Sequence, residues 1–339
     1  MDTQDWAPLV EAATRAPSIH NTQPWTFSWS PDRVEVFLDR ARSLPAVDPT
    51  GRQQVVSCGS AVEFLVVALR AAGWSPQVAL LPDRERPDLL AVVSVAGRHE
   101  VTAEDRALVD AIDRRHTERA PFLPRVVPAE LVDRWQAAGE ELGVWVEPIV
   151  GEDAELATVS LLARAEDVEE HDPAYLAELQ RWLRTDQDAP DGVPVAAVPG
   201  ADPAGRASNW VVRDFLAGRR TDDQPAQPGS TDAPPPVVER PTVLLLGTVG
   251  DDRVAWVQAG RALGRLLLLA TSVGVAASPL TQALDWPGTR VGLGVRLSLV
   301  GHPQMLLRMG YPATPGSPTG RRPVGEVLRE SGGPAPVEG

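Results

Sequence analysis

Two apolar segments constrain this chain more than any other feature. Gly59-Ser60-Ala61 runs through Leu65 to Gly73, and Gly260-Arg261-Ala262 runs through Leu266 to Gly274, with the bounding glycines fourteen residues apart in both. Each segment is apolar nearly all round, the pattern of a helix buried on more than one side, and each ends in a glycine suited to a left-handed C-terminal cap. Strand-like runs precede them, Val34 to Leu38 and Val243 to Leu246. Others follow after a proline (Pro76; Pro279), at Leu89 to Gly97 and Met305 to Gly310. A chain that repeats strand, buried helix and strand in this way is expected to be an α+β protein of two related halves. We place the first at residues 1–110 and the second at 111–330, followed by a tail, 331–339, whose Ser, Gly and Pro predict disorder.

One stretch interrupts this pattern. Ten prolines fall between Pro190 and Pro241, too many for a continuous helix or a central strand. Inside it, Asn209 to Leu216 sets Trp210, Val211, Phe215 and Leu216 among polar neighbours, as an amphipathic turn or short helix would. The insertion, 189–241, therefore reads as a lid that packs on something rather than as a bare linker.

Charge and cysteine content exclude several functions. All 32 basic residues are arginine and 46 residues are acidic, a net charge of −14 that argues against general nucleic-acid binding. A lone cysteine, Cys58, leaves no intramolecular disulfide and no cysteine-based metal cluster, in keeping with a reducing cytoplasm. The longest apolar run, around Leu263 to Val275, falls short of the roughly 20 residues a membrane span needs, so a soluble cytoplasmic protein is expected.

Three short motifs carry candidate chemistry. After a helix predicted from Trp6 to Thr14 comes Ala16-Pro17-Ser18-Ile19-His20-Asn21-Thr22-Gln23-Pro24-Trp25. Its prolines force a loop, and its short polar side chains suit the edge of a planar heterocycle such as a flavin or purine, although a self-capping turn anchored by Trp25 accounts for the same residues. The second motif, Arg114-Arg115-His116-Thr117-Glu118-Arg119, follows an acidic helix predicted from Thr102 to Asp113. It reads either as a guanidinium fork for a phosphate or as a solvated charge run. The third is Arg321-Arg322, after a Gly- and Pro-rich loop.

Together these segments resemble the FMN-binding nitroreductase family, in which an Arg-x-Ser/Thr-x-Arg/Lys element is paired with an Ala-Pro-Ser-x-x-Asn-x-Gln-Pro-Trp loop. Here the loop comes first and Arg115-Thr117-Arg119 more than ninety residues later. That order is similar to the Acg-type proteins of actinobacteria, in which two nitroreductase-like halves in one chain imitate the family homodimer. The resemblance implies a mixed sheet in each half and one FMN per chain, because Ala138 to Trp145 stands where a second loop would fall. It implies that Arg115, Thr117 and Arg119 hold the phosphate and ribityl chain, with Arg322 and Arg321 closing on the phosphate. Pro17, Ser18 and Asn21 would meet the flavin from the first half, and Ser278, Pro279 and Leu280 would lie along its ring. His20 reads as an exposed or loosely packed loop histidine, and Thr281 and Gln282 replace a carboxylate that family members often carry.

The activity so implied is reduction of a quinone or nitro compound by ping-pong hydride transfer through FMN. NADH or NADPH would be a transient donor, since no dinucleotide-binding glycine motif is present. No side chain is marked as an acid or base. The alternative is a flavin-sequestering protein whose lid keeps donor and acceptor away. Two fused halves would already bury the dimer interface, so a monomer or weak dimer is expected.

Overall fold

Both repeated segments are long helices, and they cross at their repeated glycines. The computed structural model describes residues 3–198, 206–216, 237–314, 316 and 319–331. The first part of the chain forms α1 (Thr3–Thr14), β1 (Trp25–Ser30), β2 (Arg33–Leu38), α2 (Arg52–Ala71), β3 (Trp74–Leu80), β4 (Leu89–Arg98) and α3 (Ala103–Arg114). Next come α4 (Ala129–Glu140), β5 (Trp145–Pro148), α5 (Glu152–Glu170) and α6 (Pro173–Arg181). Two-residue pairs follow, β6 (Leu183–Arg184) with β7 (Val193–Pro194) and β8 (Arg206–Ala207) with β9 (Val237–Val238). The remainder is β10 (Thr242–Thr248), α7 (Arg253–Ser272), β11 (Ala276–Pro279), α8 (Gln282–Asp285), α9 (Pro287–Arg296), β12 (His302–Gly310), α10 (Val324–Val327) and β13 (Leu328–Glu330).

The strands make two main sheets. The first has the order β13-β1-β2-β4-β3, antiparallel except that β13 runs parallel to β1, so the C-terminal strand is added to the sheet built by the N-terminal third. The second has the order β11-β12-β10-β5 and is antiparallel throughout, with a parallel bridge from Thr117 to Ala277 at its edge. Helices α2 and α7 lie in a single apolar core that draws on residues of both sheets, with Trp6, Trp25 and Trp135 fully buried around them.

Helix α2 begins seven residues before Gly59, because Arg52, Gln53 and Gln54 are buried in polar company that the periodicity does not register. Arg52 donates to the backbone oxygens of Gln304 (2.6 Å) and Leu284 (3.1 Å), and Gln53 donates to Asp285 (2.9 Å). The expected glycine caps are present, with Gly73 at φ +79° and Gly274 at φ +78°. By length and composition alone α2 would pass as a membrane span, contrary to the expectation that no segment reaches that length, yet it is a core helix buried inside the fold. Cys58, on α2, is a free, buried thiol whose sulfur donates to the Pro24 carbonyl.

At the crossing the two backbones touch. A Cβ on Gly59 would fall on the Val257 carbonyl oxygen, and one on Gly260 would fall on the Val56 carbonyl oxygen. Ser60 Oγ donates to the Gly260 carbonyl (2.9 Å), and the fully buried Glu63 accepts from Arg265 (2.8 Å) and Arg261 (3.0 Å) one turn on. The repeat is therefore the signature of a close helix crossing. Within the insertion, the described residues 206–216 form no helix. They run as an extended strap with Trp210 and Phe215 buried in two different apolar clusters, and 199–205 and 217–236 lie outside the described residues, as does the tail after Ser331.

Gly260→Ala is expected to lower stability by about 1–3 kcal/mol, the usual cost of overpacking a tight contact. Gly294→Ala, on α9 with open space around the new methyl, should instead be neutral or stabilising by up to about 1 kcal/mol. Urea midpoints of the two variants check the contrast.

Candidate functional site

Five segments converge beside the helix crossing: the loop after α1, the segment from Arg115 to Arg119 with its single bridge at Thr117, the turn after β11, the strap, and the residues before Arg321. They enclose two adjoining cavities of about 100 and 60 Å³ that share Pro17, Ser18, His20, Thr117 and Arg119. The larger is lined from the crossing by Val56 and Leu263, from the β11 turn by Ser278 and Pro279, and from the strap by Arg213 and Phe215. The smaller is lined by Asn21, Arg115, Thr319 and Arg321.

Loop 18–23 is strained and rigidly held. His20, Asn21 and Gln23 all have left-handed backbones, at φ +46°, +54° and +50°, a conformation non-glycine residues keep only when their surroundings enforce it. Ser18 Oγ accepts from the Gln23 amide (2.9 Å), and the Ile19 amide donates to Ser57 Oγ (3.1 Å). Asn21 Nδ2 donates to the carbonyls of Gly192 (3.0 Å) and Gly320 (3.2 Å), while Gln23 donates to Pro190 (2.7 Å) and accepts from the Arg322 amide (2.9 Å). These amides thus tie the loop to the start of the insertion and to the Arg321 segment. The sequence reading assigned such side chains to a ligand edge; here Asn21 spends its donors on backbone carbonyls while it lines the smaller cavity.

The arginines are the site's main electrostatic feature. Arg115, Arg119 and Arg321 surround the smaller cavity, and among the described residues none forms an ion pair with a carboxylate. Burial, with Arg119 close by, pushes Arg115 down to about 10, and burial pushes Arg119 to about 10. Arg321 falls to about 9 through burial and the nearby Arg115 and Arg15. All three stay charged at neutral pH. Arg321 is oriented by the carbonyls of Thr14 (2.7 Å), Arg15 (3.1 Å) and Ala16 (3.2 Å). Arg115 Nε is buried with no hydrogen-bond partner. Three guanidinium groups around one hollow, with no carboxylate paired to them among the described residues, leave local positive charge that an opposite charge would offset.

Segment 115–119 is fixed from both sides. The Glu118 amide donates to the Ala277 carbonyl (3.0 Å), which seats Thr117 beside Ser278. Beyond it, the fully buried Arg308 pairs with Glu239 (2.6 Å) and donates to the carbonyl of Ala120 (3.1 Å), while Glu239 accepts from the Phe122 amide (2.6 Å).

Two candidates lie elsewhere. Leu280 is buried in the apolar cluster with Leu284 and Leu306, and it lines neither cavity. The Arg322 side chain turns to Asp39 (3.6 Å) and Glu326 (3.5 Å), so that of the pair only Arg321 reaches the cavity. His20 is buried, not loosely packed. Arg213 and Phe215 were foreseen only as part of a packed island. Arg213 forms ion pairs with Glu169 and Asp285 (both 2.9 Å), the Asp214 amide donates to Glu166, and Phe215 lies edge-on to His20 and under Arg119. Burial, aided by Asp285 and Glu166 and opposed by Arg213, lifts Glu169 to about 7.

Comparison with known proteins identifies the class. No protein-family model matches the chain. A Mycobacterium tuberculosis protein provisionally named an NAD(P)H nitroreductase is 33% identical over 333 residues, 96% of this chain and 92% of its own. A second M. tuberculosis protein, provisionally named NAD(P)H nitroreductase Acg, is 31% identical over 335 residues, 94% of this chain and 93% of its own. The chain belongs to the nitroreductase family and has its fold, in the long-chain form that Acg shares. Among solved structures, an FMN-dependent nitroreductase of Mycobacterium smegmatis is similar at 19% identity and a TM-score of 0.37, covering 66% of this chain and 97% of that one.

Glu239→Ala would leave the Arg308 charge buried and unpaired beside the arginine segment. It is expected to cost about 3–5 kcal/mol, the usual penalty for stranding one partner of a buried pair. Denaturation midpoints read this loss, and a change under about 1 kcal/mol would contradict the pairing described.

Proposed function

We propose that this protein binds one FMN per chain and acts as an NAD(P)H-dependent oxidoreductase toward quinone or nitro compounds. The observation that carries the reading is the group of three arginines around one cavity, Arg115 buried and Arg119 and Arg321 half-buried, none paired with a carboxylate among the described residues and with the unpartnered Arg115 Nε among them. In this reading Arg115, Arg119 and Arg321, with the hydroxyls of Thr117 and Thr319, hold the phosphate. Pro17 and Ser18 from residues 1–110 and Ser278 and Pro279 from residues 111–330 flank the ring. FMN, when bound, would supply two-electron redox chemistry between NADH or NADPH as reductant and the quinone or nitro compound as oxidant. The chain's own task is to bind, orient and shield, and a site that joins the two halves supports a monomer.

The strap favours a second reading, a flavin-sequestering protein without turnover. Arg213 and Phe215 stand in the wall of the larger cavity. In this reading the strap closes over the bound flavin and keeps out donor and acceptor.

Arg115→Ala combined with Arg119→Ala is expected to strip FMN from the purified protein, each charge-assisted contact being worth about 1.5–3 kcal/mol; wild-type flavin stoichiometry would refute the phosphate role. An anaerobic visible spectrum with excess NADPH separates the two readings. Bleaching within minutes supports an oxidoreductase. A band that stays oxidised in the wild type but bleaches in Arg213→Ala supports sequestration by the strap.

A further inference from the structure

His20 and Arg119 both line the two cavities and meet the strap, and His20 does so through a ring nitrogen at hydrogen-bond distance. Its ring is buried, with Nε2 3.1 Å from Arg213 Nη1. A guanidinium has hydrogens to give and no lone pair to offer, so at this contact Nε2 must accept. A neutral imidazole that accepts at Nε2 carries its hydrogen on Nδ1, which assigns the tautomer from the hydrogen-bond partner. The charged groups acting on the ring are Arg213 and Arg119, and with burial they hold the imidazole pKa well below its usual value. Phe215 meets it edge-on at 5.6 Å between ring centroids and offers no acceptor. Glu169 and Asp285, the nearest acids on this side, are engaged with Arg213 itself. Nδ1 is buried and has no hydrogen-bond partner among the described residues. A strained left-handed backbone at His20 therefore maintains a buried N–H donor with nothing to receive it, at the junction of two cavities.

We propose that His20 is a ligand-binding residue whose Nδ1–H donates to a carbonyl oxygen or ring nitrogen of a planar heterocycle in the cavity, while its Nε2 ties that ligand to the strap through Arg213. This deepens the flavin reading and rests on it. Bound ligand and strap then share one imidazole. Occupancy of the cavity fixes the ring that receives Arg213.

The two nitrogens are separable by substitution, since the Asn side-chain amide reaches about as far as Nδ1 and that of Gln about as far as Nε2. His20→Asn, which also tolerates the left-handed backbone, is expected to retain FMN affinity within about twofold. His20→Gln, which retains only the contact with Arg213, should lose roughly five- to tenfold, the worth of one neutral hydrogen bond. Titration by flavin fluorescence quenching gives both values, and circular dichroism checks folding. In the unliganded protein, ¹⁵N-histidine NMR should show one ring in the Nδ1–H form that does not titrate between about pH 5.5 and 8, and FMN should shift that proton. The inverse order of the variants, equal affinity in both, or an Nε2–H or protonated ring overturns the proposal. Failure of the wild type to bind FMN would instead sink the flavin reading itself, with the tautomer still read from the unliganded protein.

Discussion

The site depends on backbone contact between α2 and α7. With no side chain on Gly59 or Gly260, the helices approach until each backbone meets the other's carbonyl, and the Ser60 hydroxyl and the Glu63 carboxylate lock the register. That distance sets how far apart the two sheets stand. It also sets the gap beside the crossing, which Val56 and Leu263 line from opposite helices. A wider crossing would open a channel through the core, and a shifted one would separate the loop after α1 from the segment at Arg115.

Around this gap the protein carries an uneven charge distribution. On one side Arg115, Arg119 and Arg321 are desolvated without compensation, a state that costs free energy and is relieved by an anion. On the other, Glu166, Glu169 and Asp285 are desolvated together and receive Arg213 and the Asp214 amide from the strap. The strap is thus held by the same kind of force that the cavity lacks. His20 stands between the two regions, its imidazole pKa held well below the usual value by burial and then by positive charge on both sides. The fold separates an arginine-lined floor from an acidic wall by the width of one imidazole and one phenyl ring.

Much of this was legible in the chain. The glycine spacing pointed to two buried helices, since helix crossing leaves a local pattern, and the structure starts each of them earlier, at Arg52 in α2 and at Arg253 in α7. The loop at Pro17 to Asn21 and the segment at Arg115 to Arg119, ninety-four residues apart in the chain by their nearest members, could be joined through resemblance to a family, and the cavity brings both together. What escaped was set by contacts distant in sequence. Leu280 and Arg322 sit beside residues that do line the cavity, and a one-residue change of direction turns one into an apolar cluster and the other toward Asp39 and Glu326. Helices α5 and α8 supply the acids that hold Arg213, yet nothing local marks Glu169 as facing a strap more than forty residues on.

By itself, the sequence determined the α+β class, the paired central helices, the family and the two motifs that meet, because each is written in local periodicity or in a short run of fixed residue types. The tertiary structure decided which arginine of a pair enters the cavity, which amides are spent on backbone carbonyls, and that His20 is buried with Nε2 against Arg213. Those properties follow from desolvation and from the identity of the hydrogen-bond partner, and both are known only when distant segments have been packed against one another.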